Sequence, residues 1–299
     1  MTLWQNYYLA RNSIDALQAL AAAPGPARLI AGGTDLLLDL QQGRHQPVHT
    51  LVDVTAIPEM TALEIRQERL YVGAAVPLNR IVASRLVMEH AQALVEACGL
   101  IGGPQVRNTA TLGGNVAHAL PAGDGTIALL ALDALAEVAS LDGCREAPLR
   151  ELFLGPGRSA LDARKEVLLG FSLPLGGPTS ASAFRRVMRP QGVAIAILNM
   201  AVWLQRKGDQ IEDLRLAVGP AGPVPLRAFG AEDSLRGRPF HTSSLPPAVE
   251  ALLAEAHFRT SPHRSSASYR HRLAGTLLME TLSVAWKRAR SKEGVYYEI

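Results

Sequence analysis

The sequence contains few cysteines. Cys98 and Cys144 are the only two in 299 residues. A [2Fe–2S] cluster normally takes four thiolates, so this chain cannot hold one by itself. Two cysteines so far apart also give neither a disulfide framework nor a zinc motif. We therefore expect no metal site on this chain and a cytoplasmic location.

Long apolar runs and concentrated charge are also missing. The longest apolar run, residues 192–204, contains Asn199 and is shorter than the roughly 20 residues that span a bilayer. Residues 1–6 lack the pattern of a signal peptide. The 30 basic and 27 acidic residues give a net charge of +3, and scattered charges of this kind do not form a nucleic-acid surface. With 48% hydrophobic residues, we expect a folded soluble protein with no membrane or nucleic-acid partner.

Two glycine-rich turns are the most informative feature present. The first, residues 31–35, lies between a strand-like and a helix-like segment, and the second occupies residues 110–115. A Gly-Gly step lets the backbone adopt positive φ and approach a ligand closely, and successive N–H groups can then converge on an anion. Thr111 and Asn115 add a hydroxyl and an amide for phosphate and sugar oxygens. Either turn alone is equally well explained as a tight turn, but together they predict two backbone cradles for one long anionic cofactor.

The spacing of these turns differs from the Rossmann fingerprint. Only residues 155–160 match that pattern formally, with Pro156 inside the turn. About 20 residues further on, Leu175 and Gly176 stand where an acidic ribose partner is needed. We interpret residues 155–160 as a loop.

The apolar patterns predict an α+β fold. Asn12 and Ser13 precede a helical repeat at residues 14–20, so we expect a capped helix there. Turn-rich residues 174–178 predict a domain boundary. Residues 193–205 and 214–218 are predicted to pair as a hairpin. Helices are predicted at residues 126–132, 246–256 and 268–290. A βαβ start followed by antiparallel strands is typical of α+β proteins.

At these positions the chain resembles the FAD-binding subunits of the molybdenum hydroxylases. That group includes xanthine dehydrogenase, carbon monoxide dehydrogenase medium subunits and 4-hydroxybenzoyl-CoA reductase. The resemblance runs almost from end to end, in order, through residues 4–20, 31–35, 105–115, 121–124, 166–169 and 182–186. Residues 153–157 and 261–266 make the chain most similar to the separate flavin subunits of bacterial xanthine dehydrogenases.

The resemblance implies a fold in two domains. Residues 1–175 would form an FAD-binding domain of the vanillyl-alcohol-oxidase and MurB (PCMH) type, in two subdomains that divide near residue 56. Residues 178–290 would form a C-terminal α+β domain with a three-stranded antiparallel sheet and helices.

The resemblance also implies which residues bind FAD. Matched by position, both glycine turns would surround the diphosphate and ribityl chain, Asp124 would touch the flavin, and Arg185 would place a cation near it. The backbone of Leu168 would lie against the isoalloxazine ring, and Ile101 would pack on a flavin face. The full predicted set is Leu29, Ile30, Ala31, Gly32, Gly33, Thr34, Asp35, Ile101, Thr111, Leu112, Gly113, Gly114, Asn115, Asp124, Leu168 and Arg185.

Several of these residues also have a purely structural interpretation. The carboxylate of Asp35 would repel a phosphate, so we expect it to cap the following helix instead. Asp124 could cap the helix that follows it, Leu168 could belong to an ordinary buried strand, and Ile101 could pack in the core. Arg189 is a weaker alternative to Arg185 as the cation near the flavin.

The resemblance implies an electron-transfer subunit. A molybdopterin-binding large subunit would oxidise the substrate, and a [2Fe–2S] small subunit would pass electrons to FAD on this chain and on to an acceptor such as NAD. The complex would be a dimer of heterotrimers, and no residue of this chain would act as a catalytic acid or base. The alternative is a stand-alone FAD-dependent oxidoreductase with its own substrate site, for which the sequence offers no candidate acid or base over the flavin. An assembly subunit without flavin is a third possibility, which the intact glycine turns disfavour.

Overall fold

A small parallel sheet forms the N-terminal part of the fold. The computed structural model describes residues 2–190 and 195–295, with side chains up to residue 289. The sheet has the strand order β1-β3-β2. Its elements are β1 (Trp4–Leu9), α1 (Ser13–Ala22), β2 (Ala27–Ile30), α2 (Leu36–Gln41) and β3 (Val48–Asp53). The side chain of Asn12 accepts a hydrogen bond from the Asp15 N–H at 2.8 Å, which confirms the predicted cap of α1.

A five-stranded antiparallel sheet follows, in the order β4-β5-β10-β6-β7. Helices between β5 and β6 cover it. The elements are α3 (Pro58–Thr61), β4 (Leu63–Arg66), β5 (Arg69–Gly73), α4 (Leu78–Ala83), α5 (Arg85–His90), α6 (Gln92–Leu100), α7 (Pro104–Arg107), α8 (Leu112–Ala117), α9 (Asp124–Ala131), β6 (Leu135–Ser140), β7 (Gly143–Pro148), β8 (Phe153–Gly155), β9 (Arg158–Ser159) and β10 (Val167–Pro174). Strands β8 and β9 pair as a short hairpin. Residues 155–160, which match the Rossmann pattern formally, therefore do not form the strand-turn-helix unit that this pattern requires.

The C-terminal sheet is antiparallel, in the order β11-β12-β13-β14. Its elements are β11 (Ser180–Val187), β12 (Leu198–Lys207), β13 (Gln210–Gly219), β14 (Leu226–Arg227), α10 (Phe229–Leu235), α11 (Leu245–Glu255) and α12 (Ala267–Val295). The three long strands are those predicted, and the two-residue β14 adds an edge strand too short to leave a pattern in the sequence. The predicted strand at residues 193–205 begins later, at Leu198, and its residues 193 and 194 lie outside the described residues.

The C-terminal sheet separates the two large hydrophobic cores. Neighbouring residues of a strand point to opposite faces: Ala183 belongs to the C-terminal core and Phe184 to the N-terminal core. Ala201 in β12 and Ala217 in β13 also face the N-terminal core. Helix α9 packs against β12 and β13, so the start of α9 is fixed relative to both parts of the chain.

One carboxylate joins three elements at this junction. Glu96 of α6 accepts a hydrogen bond from the backbone N–H of Phe184 at 2.8 Å, and it forms ion pairs with Arg185 of β11 and Arg288 of α12. The side chain of Glu96 is only 18% exposed. This network fixes β11 against α6 and α12.

No helix in the described part of the chain has the length and apolar character needed to cross a membrane.

Candidate FAD site

A cleft of about 590 Å³ opens where the parallel sheet, helices α8 and α9 and the C-terminal sheet meet. This volume lies within the usual range of roughly 300–1,000 Å³ for ligand sites. Most of its lining residues lie within residues 28–45, 101–124 and 186–270, and Leu78 and Pro156 complete it. A ligand in the cleft would therefore contact both parts of the fold.

The first glycine turn presents unpaired N–H groups to the cleft. It connects the end of β2 to the start of α2, and Gly33 has φ +66°. The backbone N–H groups of residues 32–36 donate to no other described residue. Consecutive free N–H groups in a turn of this kind bind anions.

The two turns lie directly against each other. A Cβ atom built on Gly32 would be 2.0 Å from the carbonyl oxygen of Thr109, well inside van der Waals contact. Glycine is therefore required at position 32 by the close approach of the second turn.

The second turn is anchored to the core. The N–H groups of Leu112 and Gly113 donate to Val76 O at 3.3 Å and to Ala74 O at 2.8 Å. The N–H of Gly114 donates to Oγ1 of Thr111 at 3.2 Å. These three N–H groups are already paired within the protein, so the second turn does not offer the row of free donors predicted for a backbone cradle; its contact with FAD stays a prediction. Thr111, Gly114 and Asn115 line the cleft, whereas Leu112 and Gly113 are buried beneath it.

The side chain of Asn115 holds the start of α9. Its Oδ1 accepts a hydrogen bond from the N–H of Thr126 at 3.2 Å. The Nδ2 group donates to no residue within the described ranges, so it is available to a ligand in the cleft.

Neither predicted capping aspartate caps a helix. Asp35 stands before α2 with φ −93° and ψ −46°, and its side chain makes no capping bond. N-cap residues usually have extended dihedral angles that bring the side chain back over the first turn, and those of Asp35 are helical. Asp124 is the first residue of α9 and follows the N-cap Gly123.

Asp124 instead belongs to a buried polar cluster at the inner end of the cleft. Its Oδ2 pairs with Nη1 of Arg186, and its Oδ1 accepts a hydrogen bond from Nδ2 of Asn199 at 2.6 Å. The side chains of Asp124 and Arg186 are each 6% exposed. Burial raises the pKa of Asp124, while Arg186 and Asn199 act to lower it. Nε of Arg186 is buried and has no partner in the described part of the chain.

Comparison with known proteins identifies the family. Residues 4–176 match the FAD binding domain in molybdopterin dehydrogenase, and residues 182–285 match the CO dehydrogenase flavoprotein C-terminal domain. This chain belongs to the molybdopterin dehydrogenase flavoprotein family. Its cofactor is FAD, and it is an oxidoreductase subunit.

Relatives of this flavoprotein match it along nearly its whole length. The xanthine dehydrogenase FAD-binding subunit of Escherichia coli O157:H7 is 30% identical over 290 residues, covering 96% of this chain and 98% of the relative. The structure of carbon monoxide dehydrogenase from Hydrogenophaga pseudoflava, lacking the Mo-pyranopterin moiety, has a TM-score of 0.90 at 28% identity, covering 96% of this chain and 99% of that one. Quinoline 2-oxidoreductase from Pseudomonas putida 86 has a TM-score of 0.87 at 27% identity, covering 95% and 98%. These matches confirm the predicted family and fold.

Most of the predicted residues of this flavoprotein meet in the cleft. Twelve of the sixteen line it: residues 29–35, Ile101, Thr111, Gly114, Asn115 and Asp124. Leu168 lies in β10 and is buried outside the cleft lining. It adjoins Leu169, whose carbonyl accepts the N–H of Ala74 at 2.8 Å. The carbonyl oxygen of Ala74 in turn accepts the N–H of Gly113, so hydrogen bonds link the strand of Leu168 to the second turn.

Arg186, and not the predicted Arg185, lines the cleft. Arg185 lies 3.4 Å from Glu96 and is not among the residues that line the cleft, whereas Arg186 lines it. Adjacent strand residues face opposite sides, and the burial of Phe184 in the N-terminal core fixes which arginine faces which side. Arg189 is exposed and also lies outside the cleft lining.

Sequence reasoning missed a group of arginines in the cleft wall. Arg259, Arg264 and Arg270 line the cleft from the C-terminal part of the chain. Residues 261–266, which contain Arg264, had indicated only a likeness to other flavin subunits, and three arginines within twelve residues do not by themselves distinguish a binding site from a solvated loop.

Proposed function

We propose that this chain binds FAD in the cleft described above and passes electrons from an iron–sulfur partner subunit to a soluble acceptor such as NAD. The observation that supports the position of FAD is the row of unpaired N–H groups at residues 32–36, since an anionic diphosphate is the ligand that such a row accepts. When bound, FAD can take electrons one at a time and release them as a pair.

The residues of the cleft fit the parts of this cofactor. The N–H groups of residues 32–36 would bind the diphosphate, and the Nδ2 group of Asn115 would donate to ribityl oxygens. Arg186, held in place by Asp124, would place a guanidinium group beside the isoalloxazine end. A buried cation favours a negatively charged ligand group beside it, so Arg186 would stabilise the reduced flavin over the oxidised one.

The chain itself needs no acid or base for this role. It would bind and orient FAD, exclude water from the inner end of the cleft and set the electrostatic field there. Arg186, which lines the cleft, is the residue of this chain whose charge we expect to act most directly on the flavin.

We further propose the assembly. Relatives named as medium chains and FAD-binding subunits support a complex with a molybdopterin-binding large subunit and a [2Fe–2S] small subunit, as a dimer of heterotrimers in the cytoplasm. Division of the chain into domains at residues 1–175 and 178–290 is part of this proposal, and the two large hydrophobic cores support it.

Isolation of the chain from its native host, with whatever co-purifies, tests the proposal. We expect a flavin absorbance spectrum together with iron and molybdenum on metal analysis. Flavin without either metal would instead favour the stand-alone oxidoreductase. A protein that lacks flavin and does not bind added FAD would contradict the proposal.

A further inference from the structure

The C-terminal wall of the cleft contains arginines without acidic partners. Arg270, in the first turn of α12, is only 2% exposed. Its Nε donates to the carbonyl oxygen of Ile197 at 2.9 Å, and its Nη1 donates to the carbonyl oxygen of Arg259. Both acceptors are neutral. Among the described residues, no carboxylate forms an ion pair with Arg259, Arg264 or Arg270, which we call the arginine wall.

A short hydrogen-bonded turn holds the arginine wall in place. The N–H of Ser261 donates to Ser265 O at 2.8 Å, and the N–H of Ser265 donates back to Ser261 O at 3.1 Å. The N–H of Ala267 donates to Oγ1 of Thr260 at 3.1 Å, which ties the turn to the start of α12. Arg264 is therefore carried on a fixed turn beside Arg270, and not on a free loop.

The arrangement is electrostatically unfavourable without a ligand. Burial lowers the pKa values of Arg264 and Arg270, and the charge of Arg259 lowers both further. Buried charges are normally paired, because an unpaired one loses its hydration without compensation. Three like charges that share one wall repel one another and attract an anion, and arginine pairs most strongly with phosphate and carboxylate groups through two parallel hydrogen bonds.

The other charges of the cleft do not supply that anion. Asp124 is paired with Arg186, and Asp39 is paired with Arg44 at 3.0 Å. Asp35 belongs to the first glycine turn. Among the described residues, no hydrogen bond or ion pair links residues 259–270 to either glycine turn. The arginine wall and the N–H groups proposed to hold the FAD diphosphate line the same cleft but are held by different elements, so the wall can bind an anion of its own.

Resting on the proposed function, we infer that the arginine wall binds the phosphate groups of the electron acceptor, so that the acceptor is a phosphate-bearing dinucleotide and not a neutral quinone. The exposed Arg259 and the half-buried Arg264 would contact the phosphates. Arg270 would hold Arg259 in position through the carbonyl oxygen it binds.

Binding of ADP, a diphosphate probe, tests this inference on the FAD-loaded complex isolated with its partner subunits. Arg259→Gln and Arg264→Gln each remove one charge from the wall, and Arg85→Gln is the control, since Arg85 is exposed outside the cleft lining. We expect calorimetry to show ADP binding that weakens with added salt. Each wall variant should weaken ADP binding by about tenfold or more, the loss expected for one charge-assisted hydrogen-bonded contact. FAD content and the melting temperature should stay unchanged, and Arg85→Gln should behave as the wild type.

The possible failures are distinguishable. No ADP binding by the FAD-loaded wild type, or unchanged binding in both wall variants, would overturn the inference. Loss of FAD in the wall variants would show that the wall serves the diphosphate of FAD itself, which overturns the inference but leaves the proposed function intact. A wild-type chain that does not bind FAD refutes both, and flavin absorbance shows this before any ADP is added.

Discussion

Gly32→Ala is the sharpest test of how the two glycine turns form the site. The added Cβ would lie 2.0 Å from Thr109 O, 2.6 Å from Thr109 C and 2.9 Å from the Cα of Ala110. All three are backbone atoms, so no side-chain rotation relieves the clash. An ordinary carbon–oxygen contact is about 3.3 Å, so the turns would have to separate by about 1.3 Å.

The separation should affect both stability and cofactor binding. Overpacking of this kind costs about 1–3 kcal/mol of unfolding free energy. A shift of that size also stretches a hydrogen bond from the first turn beyond useful length. Each charge-assisted bond contributes roughly 1.5–3 kcal/mol, so the Kd for FAD should rise at least about tenfold.

Urea unfolding of the apoprotein and quenching of FAD fluorescence measure the two effects. Gly99→Ala is the matched control, because its Cβ would be 3.9 Å from Cγ2 of Val82 and alanine favours a helix over glycine by about 0.5–1 kcal/mol. The control should be at least as stable as the wild type and bind FAD normally. Wild-type FAD affinity and stability in Gly32→Ala would refute the reasoning.

Three further predictions concern the charged clusters. Arg186→Gln should change the flavin absorbance and the reduction potential of the bound FAD, and Arg185→Gln should leave both unchanged; the reverse pattern would restore the sequence-based assignment to Arg185. Removing Arg186 leaves Asp124 as a buried charge at a cost of about 3–5 kcal/mol. Burial raises the folded-state pKa of Asp124, and loss of Arg186 raises it further. The loss of stability in Arg186→Gln should therefore grow as pH rises through the pKa of Asp124 and shrink towards acid pH; an equal loss at every pH of a urea-unfolding series would contradict this. Glu96→Ala should destabilise the chain by about 1–3 kcal/mol and Glu96→Gln by less, with FAD affinity unchanged in both, as urea unfolding and FAD titration would show.

The local motifs of the site were readable from the sequence. A glycine pair indicates a position where the backbone adopts positive φ or approaches another group closely. The ordered motifs from residue 4 to residue 186 specified the family. The cap at Asn12 and the hairpin of the C-terminal sheet followed from short-range patterns, and the third long strand from the family resemblance. Each of these features depends on residues that are close together in the chain.

The partners of the polar groups were decided only by the tertiary structure. Two N–H groups of the second turn are paired with the carbonyl oxygens of Val76 and Ala74, which lie more than 30 residues away in the sequence. Arg186 rather than Arg185 faces the cleft because Phe184 is buried in a core built by another sheet. The arginine wall can be recognised only in the tertiary structure, where Arg270 of α12 donates to the carbonyl oxygens of Ile197 and Arg259. Sequence patterns identify which donors and charges exist, but contacts between distant segments determine which of them remain free to bind a ligand.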